Sequence, residues 1–245
     1  MKRRTLISAL ALLSLPVAAA VAQRDTNRVG GGGEQRSDGP SQRDWTETAE
    51  RTPEGGFRIG NPNARVKVIE YLSLSCSHCA QFAADSSSSL WSDYVRRGTV
   101  NVEYRNFVLN GFDMAAAMLS RCAAPRRYFD MTHYLLGHQP DWLGRSQALT
   151  EAQRNELRGA TPLQAMERLV PLLGLDRVAR QHGLSAAQVQ ACVADQANLD
   201  QVAALQQVGG SLGVTGTPTF FINGQRLDVN DWAGVQQRLR AAVDG

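Results

Sequence analysis

Between Val66 and Phe82 an apolar run of strand character passes through a short serine-containing turn. It then delivers Cys76-Ser77-His78-Cys79 into what reads as the first turn of a helix. Val66 to Leu72 is nearly continuous in apolar character, as in a central strand covered on both faces. A C-x-x-C at such a junction points to a redox-active thiol. The first cysteine meets free backbone N–H groups and the positive end of the helix dipole, and both favour a thiolate. The thiolate is the attacking species in thiol–disulfide exchange and a good leaving group. Cys76 is therefore the candidate nucleophile and Cys79, one turn deeper, the resolving thiol. His78, inside the motif, is expected to add to thiolate stabilisation when protonated or suitably hydrogen-bonded. Glu70 interrupts the strand and is the candidate proton acceptor for Cys79; burial there would raise its pKa.

Other readings of a C-x-x-C are weaker here. Zinc needs four ligands, and His133, His138 and His182 form no paired spacing with one another, with Cys122 or with Cys192. No metal site and no cofactor are expected. A purely structural disulfide is not excluded by spacing, but the strand before the motif and the helix after it argue for reactivity.

Along the chain, a helix is expected from Cys76 to about Arg97, kinked at Ser86–Ser89 because serines are poor helix interior. Val100 to Phe107 alternates with period two and reads as the next strand, which completes a parallel βαβ unit. From 112 to 212 there is no strand signal. Helical patterns cover Phe112–Ala124, Tyr128–Gly137, Thr150–Leu157, Leu163–Leu173 with a break at Pro171, and Leu175–His182. Ser185 to Gln188 is a capping box that starts another helix, and Asn198–Leu212 is a last one, loosened by Gly209-Gly210. Strand character returns at Thr219–Ile222, followed by an Asn223-Gly224 hairpin turn, a return strand Gln225–Val229 and a final helix capped by Asn230. The expected fold class is α/β with an inserted all-helical domain.

The first 22 residues read as a cleavable secretory signal: Lys2-Arg3-Arg4, an apolar stretch Leu6–Val17, and Ala20-Val21-Ala22 as the cleavage site. Those three basic residues carry the whole formal net charge of +3; the remainder holds 23 basic and 23 acidic residues. Composition therefore gives no argument for nucleic acid or an anionic membrane surface as partner. Residues 23–56 are rich in Gly, Arg, Ser and Asp and are expected to form a disordered polar spacer. An even number of cysteines in an exported chain fits an oxidising compartment.

C-S-H-C after an apolar strand, an acid six residues before the first cysteine, and Gly216-Thr217-Pro218-Thr219-Phe220-Phe221-Ile222-Asn223-Gly224 much later together resemble the DsbA-like thiol–disulfide oxidoreductases of the thioredoxin superfamily. The resemblance runs from Phe57 to the C-terminus, helical insertion included. It implies a thioredoxin-like domain formed by 57–111 and 213–245, with 112–212 inserted. It implies that Pro218 is cis and faces the C-x-x-C, and that Thr217 offers its backbone to an extended substrate segment. It also implies a periplasmic protein that donates its Cys76–Cys79 disulfide to reduced or unfolded exported proteins and is reoxidised by a quinone-linked membrane partner. Some proteins of this kind carry a second, structural disulfide, here Cys122–Cys192; two buried free thiols are the alternative. Ser77 stands where the best-known oxidases have Pro, and Thr217 where the enterobacterial type has Val. A reductase or isomerase is thus the alternative activity, and a non-catalytic peptide-binding or chaperone-like module the alternative of another class. Isomerases of this superfamily usually carry a dimerisation domain, which the polar spacer 23–56 is too poor to be, and this counts against the isomerase; a monomer is expected.

Overall fold

Val66–Leu72 is a central strand of a six-stranded sheet in a computed structural model, which describes residues 43–245. The strands are β1 (Ala49–Arg51), β2 (Phe57–Gly60), β3 (Val66–Leu72), β4 (Val100–Asn106), β5 (Thr219–Ile222) and β6 (Gln225–Arg226). Their order across the sheet is β1-β2-β4-β3-β5-β6. β3 pairs parallel with β4, placing Glu70 opposite Tyr104. On its other side it pairs antiparallel with β5, placing Glu70 opposite Phe220. Val66, Val68, Tyr71 and Leu72 are all buried, so both faces of β3 are covered, which is why its sequence hardly alternates.

The helix after the cysteine motif, α1 (Ser77–Ser86), stops within the serine run, and a π-helical turn at Leu90–Val95 carries the chain on to β4. Between β4 and β5 every regular element among the described residues is helical. They are α2 (Gly111–Arg121), α3 (Pro125–Gly137), α4 (Gln139–Trp142), a 3₁₀ turn, α5 (Glu151–Arg158), α6 (Pro162–Leu172), α7 (Leu175–Gln181), α8 (Ala186–Val193) and α9 (Gln196–Ser211). Ala115 to Leu119 of α2 are fully buried, so this helix is covered on every side; α3, α6, α8 and α9 pack around it. The insertion and the sheet share one hydrophobic core. Tyr128 of α3, for example, stacks on Phe57 of β2 with ring centroids 3.8 Å apart. Cys122 and Cys192 are joined, S–S 1.95 Å and Cα–Cα 6.0 Å, which ties the end of α2 to α8. The last helix, α10 (Trp232–Asp244), follows β6.

Five expectations need correction. The proposed signal (1–22) and residues 23–42 of the spacer lie outside the described residues, but 43–56 is not disordered. Asp44 caps a 3₁₀ turn at Trp45–Glu47, and β1 pairs with β2 through Ala49–Ile59 and Arg51–Phe57. The Trp45 ring lies where a Cβ on Gly98 (φ +76°) would sit, 2.5 Å away. Partners distant in sequence supply the order that local composition lacks. Pro171 lies within the last turn of α6 rather than breaking it, because that helix ends one residue later. Gly209 does not loosen α9, which is continuous. It lets Tyr71 and Phe107 approach, since a Cβ there would lie 2.8 Å from the Tyr71 ring. The return strand is only Gln225–Arg226, and α10 is capped by Asp231, whose carboxylate accepts from the Gly234 N–H at 2.9 Å, not by Asn230.

Candidate active site

Cys76 is the N-cap of α1, with extended backbone (φ −85°, ψ 121°) and a carbonyl that accepts the first helical bond from Ala80 N at 3.1 Å. At such a position the helix leaves its first N–H groups without partners. The structure holds both thiols of the motif reduced. Cys76 keeps 8% of its surface exposed and Cys79 none. The Cys76 thiol is held down to about 4, chiefly by a hydrogen bond from the Cys79 thiol. Burial opposes this, and Thr217 and the backbone N–H groups of Cys79 and His78 support it. Cys79 is pushed well above the usual thiol range, first by burial, then by Cys76 and by the charge of Glu70. The two sulfurs thus share one proton, with Cys76 the thiolate and Cys79 its donor.

Thr217–Pro218 is a cis peptide bond. In the thiol form Cys76 Sγ–H donates to the Thr217 carbonyl at 3.2 Å. The Thr217 hydroxyl is buried with no other partner among the described residues, leaving it free to donate to the thiolate. The His78 side chain is exposed, and what the structure assigns to this residue is its backbone N–H.

Glu70 is 2% exposed, and burial, then the nearby Cys76 charge, pushes its pKa up to about 8. A carboxylate tuned to that range exchanges protons near neutral pH, as a general base for a buried thiol must. The structure therefore brings Cys76, Cys79, Glu70, Thr217 and Pro218 to one place. Cys122 and Cys192 lie apart from it in the insertion.

Sequence reasoning missed the groups that hold the motif. Asp113 of α2 is fully buried and accepts from Ser73 Oγ (2.6 Å), Leu74 N (2.9 Å) and Leu109 N (2.9 Å). Burial pushes its pKa up to about 6 despite those donors. Gln139 of α4 donates through Nε2 to the carbonyls of Leu74 (2.8 Å) and Cys76 (2.9 Å). The turn between β3 and α1 is thus pinned from the helical insertion. An acid three residues after Asn110, which caps α2, carried the only local signal. The 680 Å³ cavity between α6, α7 and α8 is lined by none of these residues.

Against known proteins, a family profile described as thioredoxin matches residues 52–244. A protein-disulfide isomerase from Novosphingobium aromaticivorans superposes with a TM-score of 0.72 at 27% identity, covering 77% of this chain and 97% of the other. Alpha-DsbA1 of Wolbachia pipientis gives 0.61 at 22% identity, covering 76% and 90%, a likeness of fold. A provisionally named protein-disulfide oxidoreductase from Rickettsia typhi is 25% identical over 172 residues, 69% of this chain and 55% of that protein. The chain thus spans about half the length of that relative.

Proposed function

The chain belongs to the thioredoxin family, and on that premise we propose that it is a thiol:disulfide oxidoreductase that donates its Cys76–Cys79 disulfide to exported proteins. A substrate thiolate attacks Cys76 Sγ, the Cys76–Cys79 bond breaks, and Cys79 leaves with the electron pair and takes a proton from Glu70. A second substrate thiolate then attacks the substrate sulfur of the mixed disulfide, and Cys76 leaves as a thiolate. The substrate dithiol is oxidised to a disulfide and the protein's disulfide is reduced to the Cys76 thiolate and the Cys79 thiol.

The observation that carries the direction is Cys76 held down to about 4. A stable thiolate favours the reduced form of the pair, so the disulfide is a strong oxidant. Reoxidation by a membrane-bound quinone-linked partner, a periplasmic location reached through residues 1–22, and action as a monomer complete the reading. The isomerase named among the structural relatives favours a second reading, in which the same pair shuffles disulfides. Equilibration with glutathione buffers tests the oxidase reading, and refolding of a scrambled-disulfide substrate tests the isomerase one. An oxidase has a potential well above the roughly −270 mV of thioredoxin. A value near thioredoxin's overturns the oxidase reading.

A further inference from the structure

Each round of exchange requires a proton to reach or leave Cys79, which is fully buried, and Glu70, which is 2% exposed. Neither meets bulk water. We propose that Tyr104 and His133 form the proton path between the Glu70–Cys79 pair and the solvent-facing cleft between α1 and α3.

Tyr104 stands directly opposite Glu70 in the parallel register of β3 and β4, and residues so paired share a sheet face. Its hydroxyl lies 3.0 Å from Nε2 of His133 on α3. His133 in turn lines a 290 Å³ cleft whose other walls are Ala80, Ala83, Ala84, Ser87, Trp91 and Gly137. Small side chains on that face of α1 keep the cleft open, and Trp91 meets the imidazole edge-on at 5.0 Å and fixes its plane. Among the described residues no charged side chain lines the cleft; the ionic groups acting on His133 are Asp130 and Arg126 of its own helix, with opposite effect. Tyr104 is kept protonated by burial first and also by the charges of Glu70, Tyr128 and Cys79, which places it in the field of the reacting groups. The half-buried His133 is pushed down to about 4, mainly by burial, so it is neutral at working pH. A neutral phenol and a neutral imidazole pass a proton by taking one on one side as each gives one on the other. No net charge has to rest between strand and surface.

This path rests on Glu70 as the base for Cys79, and the experiment separates the two ideas. The reduced protein is mixed with an excess of an aromatic disulfide, and release of aryl thiolate is followed by absorbance. The first equivalent reports attack by Cys76, the second attack by Cys79 on the mixed disulfide. Tyr104→Phe and His133→Ala should leave the first phase intact and slow the second about tenfold or more. Added imidazole, which fits the space vacated in His133→Ala, should restore that variant's second phase, and cyclopentane-sized apolar molecules without a ring nitrogen should not. A second phase at wild-type speed in both variants, or a slowed His133→Ala that imidazole does not rescue, overturns the path. Glu70→Gln run alongside decides the premise: a slowed second phase there with unaffected Tyr104→Phe and His133→Ala leaves the base standing and removes only the path. An unaffected Glu70→Gln removes both.

Discussion

The molecule carries two cysteine pairs, and their positions along helices differ in kind. Cys76 caps the N-terminus of α1. Cys122 caps the C-terminus of α2, and Cys192 lies in the last turn of α8. Backbone N–H groups and the positive helix end stabilise a thiolate at the first site, whereas carbonyls and the negative end disfavour one at the other two. The pair at a helix start is built to react. The pair at two helix ends is built to stay bonded. Residue type alone does not separate them; location on the helix does.

The largest expected effect comes from removing the reactive end. Cys76→Ser should lose disulfide exchange by roughly a thousandfold or more, read as oxidation of a reduced substrate peptide; residual activity near wild type would favour a binding module instead. The contrast should next be visible in titration. Thiolate absorbance of the reduced protein should rise with a midpoint near pH 4, from Cys76, with Cys79 silent until far higher pH. Linkage gives the sign. A thiol whose folded pKa is depressed adds stability that is fully present above the unfolded thiol value of about 8.5 and lost as pH falls through the folded value. Thermal unfolding of reduced against oxidised protein reads this contribution together with the Cys76 charge on Glu70, because the burial that raises the Glu70 pKa acts in both forms. The reduced form should lose ground between pH 8 and 4.

The other pair should fail differently. Replacing Cys122 and Cys192 together by Ala opens a loop closed over 70 residues of sequence and should cost about 4 kcal/mol by chain entropy. The exchange rate of the folded fraction should stay unchanged; urea unfolding and a single-turnover assay report the two separately. Asp113→Asn sharpens the comparison from the side of the clamp. It turns one acceptor of the Ser73–Leu74–Leu109 cluster into a donor and should destabilise by about 2 kcal/mol. The reactivity of Cys76 should fall while Cys122–Cys192 remains closed; a variant with unaltered Cys76 kinetics would deny the insertion its positioning role.

Much of this was legible in the residues because the signals were local. The apolar run of β3, the period-two β4, the Ser185 capping box and the Asn223-Gly224 turn are each written within a few positions. Glu70 could be picked out because an acid in a buried strand is conspicuous. What could not be read depended on distant partners. Residues 43–56 look too polar to fold until Phe57–Ile59 and Gly98 are brought to them. Gly209 reads as a helix weakness until Tyr71 is seen against it. Asp113 and Gln139 look like ordinary helical polar residues, and only the tertiary fold aims them at the turn before Cys76. The share of site residues missed is the share that the insertion contributes.

The helical insertion also sets a timetable. It supplies most of the 141-residue separation between Cys76 and the Thr217 carbonyl that its sulfur touches. A ribosome working at about 5–20 residues per second delivers those residues over roughly 7–30 s. By the end of that interval all four cysteines have been made while β5 has not. Contacts so remote in sequence form late, so the groove beside Cys76 closes only after the helices behind it can settle. The order of synthesis thereby keeps the site unfinished until its last strand docks on β3.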